Sequence, residues 1–177
     1  FLKAAGQTWW QILRVGPTGS GDSPYQSFSA YAGNPYLIDL DLLREDGLLT
    51  QAEIDSAFWG ADPARVDYGA LYQNRLAVLS IACHRGWKRD AEAVADYALF
   101  MALKQHFGGK SWMRWPEDIH LRRREAVERY RKALSEDVAL FTYLQFLFFR
   151  QWDALRACAA EQGVRIIGDL PIYVAMD

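Results

Sequence analysis

The sequence predicts an α/β fold in which parallel strands are joined across a large block of helices. Three observations carry this. Thr8 to Val15 is an aromatic and β-branched run that reads as a strand. Val164 to Val174 is almost entirely apolar, as strands buried on both faces of a parallel sheet are. What separates the two is a long loop and then a succession of helical patterns, and parallel strands need such crossovers.

The elements follow in order. Gly16 to Pro35 is rich in Gly, Pro, Ser, Asp and Asn, which marks a loop of roughly twenty residues, a length usually kept for function. Asp39 to Gly47 reads as a short helix stopped by its glycine. Thr50-Gln51-Ala52-Glu53 is a capping box, so a helix runs from Gln51 to about Phe58. Tyr68 to His84 carries Leu71, Arg75, Val78 and Ala82 at helical spacing and ends before Gly86. Ala91 to Phe107 is a further helix, closed by Gly108-Gly109. Beyond Pro116, Leu121 to Leu134 reads as a charged helix and Glu136 to Glu161 as a long amphipathic one, stopped by Gly163.

So large a crossover suggests a mainly helical insertion between early strands of a (β/α)8 TIM barrel. Such a barrel takes roughly 250 residues and eight strands. Two or three strands are readable here, so the chain is expected to be part of a longer protein. It divides into residues 1–40, with the first strand and its loop; 41–160, the helical block; and 161–177, a later strand.

Composition sets limits. Of the 177 residues 51% are hydrophobic and 24% charged, as in ordinary globular proteins. Seven Trp, nine Tyr and nine Phe are many rings, suited to filling a core or to stacking on flat ligands. A net charge of −2 gives no electrostatic reason to expect nucleic acid or an acidic membrane as a partner. Leu144 to Phe149, the longest apolar stretch, is broken by Gln145 and bounded by Arg150, so no membrane span is expected. Phe1 to Gly6 lacks a basic leader, and a cytoplasmic location is expected. Cys83 and Cys158, both in apolar helical surroundings, read as two buried free thiols, with a single disulfide as the alternative.

Few residues suggest chemistry on their own. The loop lacks the Gly-x-x-x-x-Gly-Lys spacing of a phosphate cradle. Tyr25 offers a flat ring and a hydroxyl, which suit a sugar, or the ring packs the loop. Asp169 sits inside the second strand and, if buried, needs a partner. His84, His106 and His120 lack companions at metal-ligand spacing, so neither metal nor cofactor is expected. His84 and His106 fall near helix C-termini, where partial positive charge is favoured. Arg122-Arg123-Arg124, Arg129 and Arg131 beside Glu125 and Glu128 read as a solvated helix face. Trp112 and Trp115 read as core or subdomain packing residues, or as part of a second ligand-binding surface.

The run from Trp10-Gln11-Ile12-Leu13 through Gly16-Pro17-Thr18-Gly19, Gly21-Asp22-Ser23-Pro24-Tyr25-Gln26-Ser27-Phe28-Ser29-Ala30 and Ala32-Gly33-Asn34-Pro35-Tyr36-Leu37-Ile38-Asp39-Leu40 is long and specific. It resembles the signature of the amylomaltase family of 4-α-glucanotransferases. Ile167 to Ala175 resembles a second stretch of that family, and the likeness covers essentially the whole chain. Two positions depart: Arg14, where the family usually has Pro, and Ser20, where it often has an aromatic.

The resemblance implies transfer of an α-1,4-glucan segment to the 4-hydroxyl of an acceptor by retaining double displacement. The catalytic carboxylates belong to later strands, so this chain should hold no catalytic residue. Arg65-Val66-Asp67 has the family's Arg-x-Asp spacing but lies in a turn ahead of a helix. By resemblance Tyr25 should line a sugar subsite, with Ser23 nearby and Asp177 touching a sugar hydroxyl. Asp169 is the fourth candidate, either in the site or as an ion pair with an arginine of the catalytic strand. The rival readings are an α-glucan hydrolase or branching enzyme on a related barrel, and a non-catalytic carbohydrate-binding or helical interaction module.

Overall fold

Two short strands pair in parallel at one side of a helical block. The computed structural model describes residues 1–19, 23–86 and 95–169. Strand β1 (Trp9–Gln11) lies beside β2 (Arg165–Ile167), with Trp9, Trp10 and Gln11 facing Arg165, Ile166 and Ile167. The Arg165 amide donates to Thr8 O at 2.8 Å and the Ile12 amide to Ile167 O at 2.9 Å.

The helices between them are α1 (Leu40–Glu45), α2 (Gln51–Asp55), α3 (Tyr68–Gly86), α4 (Ala95–His106), α5 (Glu117–His120), α6 (Arg124–Ala133) and α7 (Ser135–Glu161). A 3₁₀ turn, Pro35–Leu37, precedes α1. Local chemistry explains the starts and stops. The Asp39 carboxylate accepts from the amides of Asp41 and Leu42, and Gly47 ends α1 at φ +74°. At α2 both halves of the capping box form between Thr50 and Glu53.

Helix α7 is the hub, packing against α3, α4, α6, β2 and the 3₁₀ turn. Phe141, Tyr143, Leu144, Leu147 and Phe148 of α7 share one core with Leu79 and Ala82 of α3 and Ala98 and Ala102 of α4. The small residues admit close approach: a Cβ on Gly86 would stand 1.8 Å from the Tyr143 hydroxyl, so α3 and α7 cross there only through glycine. Trp115 is buried against Phe100 and Phe107, with ring centroids 5.6 and 5.4 Å away. Its Nε1 donates to Lys110 O at 3.1 Å. Trp112 is half-exposed, its ring edge-on to His120 at 4.8 Å.

Several expectations are corrected. β1 is shorter than Thr8 to Val15, because it has only three partners on β2. Strand β2 is not buried on both faces: Arg165 and Ile167 are exposed and Ile166 is half-buried. Among the described residues it has one neighbouring strand and so gains cover on one side only. Cys83 is a buried free thiol, but Cys158 is a free thiol on the exposed C-terminal part of α7. Apolar sequence neighbours do not decide which face of a helix is covered. Arg122 and Arg123 precede α6 rather than ride on it, Arg122 at φ 51°. The basic cluster pairs with several elements: Arg122 and Arg131 with Asp96, Arg123 with Glu117, Arg124 with Glu128 and Arg129 with Asp118. His84 and His106 do lie in the last turns of α3 and α4. Residues 91–94 and 170–177 of the expected elements lie outside the described residues.

The clearest electrostatic link joins α2 to α3. Arg85 donates from both terminal nitrogens to the Glu53 carboxylate, at 2.7 and 2.6 Å. That pair, and then the Thr50 amide and hydroxyl, pull the Glu53 carboxyl from its ordinary 4.5 down to about 2. A depressed acid stabilises the fold above its unfolded value and ceases to do so as pH falls toward the folded one. In the full-length protein, urea unfolding should show a loss between pH 4.5 and about 2 that Glu53→Gln diminishes. Parallel pH curves for the two proteins would contradict this. Independently, Gly33→Ala places a Cβ 1.9 Å from the Phe148 ring and should cost about 1–3 kcal/mol in the same assay. The loss should be less than additive with Phe148→Ala, which vacates the space.

Candidate functional site

The loop after β1 is built from its own hydrogen bonds. Its ends are joined where the Asn34 amide donates to Val15 O at 2.9 Å. Inside, Thr18 and Ser27 form an isolated antiparallel bridge. The Gly19 amide donates to Gln26 O at 2.6 Å, and a Cβ on Gly19 would stand 2.8 Å from that same oxygen. Glycine is needed there because a side chain would collide with backbone. Ser27 Oγ donates to Ser29 O at 2.8 Å, and Ser29 Oγ accepts from the Tyr31 and Ala32 amides at 3.2 and 3.1 Å. These hydroxyl turns hold the path of the returning half.

Tyr25 stands at the tip of this framework. Its amide donates to Ser23 Oγ at 3.3 Å, and the Gln26 amide donates to Ser23 O at 3.1 Å. The Tyr25 ring is 44% exposed, and its hydroxyl donates to Asp169 Oδ2 at 2.9 Å. That bond, reinforced by the negative charge of Asp169, raises the phenol above its ordinary value of 10.0. Asp169 lies two residues past the end of β2 and is half-buried. Three candidates from the sequence, Ser23, Tyr25 and Asp169, are therefore gathered at one place. The fourth, Asp177, lies outside the described residues. The sequence placed Asp169 inside a buried strand, whereas the carboxylate sits beyond β2 and takes its hydrogen bond from Tyr25.

Beside this pair is an open cleft of about 330 Å³ at the carboxyl ends of both strands. Arg14, Tyr31, Phe149, Trp152, Arg156 and Asp169 line it. Polar and aromatic groups thus converge where parallel α/β folds place their ligands. Arg14, a departure from the resembled pattern, is engaged: its guanidinium donates to Ser29 O across the loop. Sequence reasoning missed this role because the partner is a backbone carbonyl. Among the described residues no group of three or more His, Cys, Asp or Glu is placed to hold a metal ion. No described helix is long and apolar enough to cross a membrane.

A parallel strand pair joined across helices is an α/β arrangement, and in such folds ligands bind beyond the carboxyl ends of the strands. The sequence model described as 4-alpha-glucanotransferase matches residues 1–177, and the chain belongs to that family. It is 44% identical over 188 residues to the 4-alpha-glucanotransferase of Clostridium butyricum, a match covering 100% of this chain and 39% of that protein. With the Thermus thermophilus 4-alpha-glucanotransferase the identity is 48% over 193 residues, covering 100% and 37%. Among solved structures, the amylomaltase from Streptococcus agalactiae in complex with acarbose is similar at a TM-score of 0.90 and 40% identity. That match covers 98% of this chain and 38% of the other. The chain thus spans under two-fifths of the length of these relatives.

The Tyr25–Asp169 contact can be read directly. Asp169→Ala removes both the hydrogen bond and the charge that hold the phenol up, so Tyr25 should ionise at lower pH. Ultraviolet absorbance titration, taken as a difference against Tyr25→Phe, would report the shift. An unchanged titration would mean that the carboxylate does not act on the hydroxyl in solution.

Proposed function

We propose that the full-length protein carrying this chain is a 4-α-glucanotransferase that passes an α-1,4-glucan segment to the 4-hydroxyl of an acceptor glucan or glucose. One observation carries the local reading: an exposed tyrosine ring is fixed by its hydroxyl to a carboxylate across the carboxyl ends of two parallel strands. The family and the relatives' printed activities supply the reaction class.

In this reading the chain is part of a (β/α)8 barrel. Residues 1–40 bring its first strand and substrate loop, 41–160 the helical insertion with barrel helices, and 161–177 a later strand. The reacting groups come from outside this chain. An aspartate attacks the anomeric carbon while a glutamic acid protonates the leaving oxygen. The acceptor 4-hydroxyl then displaces the aspartate from the glycosyl-enzyme and gives its proton to the glutamate.

This chain's residues bind and orient. The Tyr25 ring stacks on the apolar face of a sugar on the non-reducing side of the cleaved bond. Asp169 holds the ring's angle through its hydroxyl. Ser23 Oγ accepts from the Tyr25 amide, which leaves the serine's own O–H to donate to the sugar. Asp177 adds a sugar-hydroxyl contact, a role that rests on resemblance alone. Transfer exceeds hydrolysis when bound sugar displaces well-placed water, and a wall of rings and ordered backbone favours that. The substrates are α-1,4-glucans, with neither nucleic acid nor membrane as partner and no cofactor, and the location is cytoplasmic.

The decisive assay is incubation of the full-length protein with maltotriose. Products longer than the substrate are expected; glucose and maltose alone would indicate a hydrolase and sink the reading. Tyr25→Ala should lower transfer by about ten- to a hundredfold, equivalent to about 1.4–2.8 kcal/mol, with the fold retained.

A further inference from the structure

Gln145 interrupts the apolar run of α7 and is only 1% exposed. A buried primary amide is costly unless both its ends find partners. Here a single residue supplies them. The Gly33 amide donates to Gln145 Oε1 at 2.8 Å, and Gln145 Nε2 donates to Gly33 O at 3.0 Å. A carboxylate could accept but not donate, and a thioether of the same length could do neither usefully.

The clamp sits at the exit of the loop. Asn34, next in sequence, closes the loop onto Val15. Back from Gly33, the Ala32 and Tyr31 amides rest on Ser29 Oγ, and Ser29 and Ser27 bond reciprocally. Ser27 bridges Thr18, and Gln26 holds Gly19 beside Tyr25. Hydrogen bonds, with the short backbone steps between them, thus connect a helix in the core to the residue that carries the ring at the cleft.

We infer that Gln145 is a positioning residue for Tyr25: its amide fixes the loop's exit so that the ring meets Asp169 and presents its face to sugar. The inference rests on the reading of Tyr25 as a sugar contact. Gln145 touches no substrate itself. It acts through the backbone it clamps.

The test uses the full-length protein with Gln145→Glu, and Ser29→Ala as a milder break in the same run outside the core. At a temperature where each variant is fully folded, kcat/KM for maltotriose transfer should fall about tenfold for Gln145→Glu. In a Tyr25→Ala background the same substitution should change it less than twofold, because the group being positioned is gone. Hydrogen exchange should quicken at the Gly19, Gln26 and Asn34 amides in both variants, while α7 amides stay protected. Equal kcat/KM losses in the two backgrounds would overturn the inference, since a purely structural role is blind to Tyr25. Unchanged loop exchange in both variants would overturn it as well. If Gln145→Glu does not fold, Gln145→Met, which keeps the length and apolar fit but loses both hydrogen bonds to Gly33, decides the matter by the same two readouts. A wild-type protein that makes no longer products sinks the glucanotransferase reading, while the exchange arm still judges the clamp.

Discussion

The backbone of Gly33 lies so close to the Phe148 ring that a Cβ would stand 1.9 Å from it. Much of the molecule depends on this approach. It lets the loop's exit press into the core, where the Gln145 amide can reach both the N–H and the C=O of the same residue. The loop then inherits the rigidity of α7, the helix that α3, α4, α6 and β2 all pack against. Loops are ordinarily the least constrained parts of a fold. This one is fixed at its entry through Arg14, at its exit by a helix amide, and at its tip by a carboxylate beyond another strand.

The sheet itself supplies little. Two parallel strands of three paired residues are far from self-sufficient. Trp9 and Ile167 are exposed along them. What keeps β2 beside β1 is the packing of α7 against β2 and the loop hydrogen bonds at the strand ends. Most of the buried core among the described residues is helical, and the strands are carried on its margin.

Features set by neighbours in sequence were legible. The box at Thr50 and Glu53 and the stop at Gly47 follow from residues within a few positions of their targets. The loop after the first strand was legible too, from its run of Gly, Pro, Ser and Asn. Features set by distant partners were not. The Tyr25–Asp169 bond spans 144 positions, and no local pattern announces it. Cys158 shows the same limit, since helical periodicity cannot say which face lacks a neighbour. Gln145 is the instructive case. Its one signal was a polar residue breaking an apolar helical run, which marks a buried amide in need of partners without naming them.

A second amide repeats the pattern. Gln151 Oε1 accepts from the Asp39 amide at 2.7 Å, and its Nε2 donates to Asp39 O at 3.0 Å. Both clamps join positions 112 apart, so residues 33 to 39 run alongside 145 to 151 in step. Six helical residues rise about 9 Å, whereas six extended residues could reach about 20 Å. The outer segment must therefore be shortened to match, and the 3₁₀ turn at Pro35–Leu37 takes up the slack. The turn is a gauge block between two fixed pegs. Adding or removing one residue along it would leave either Gly33 or Asp39 facing the wrong rung of the helix.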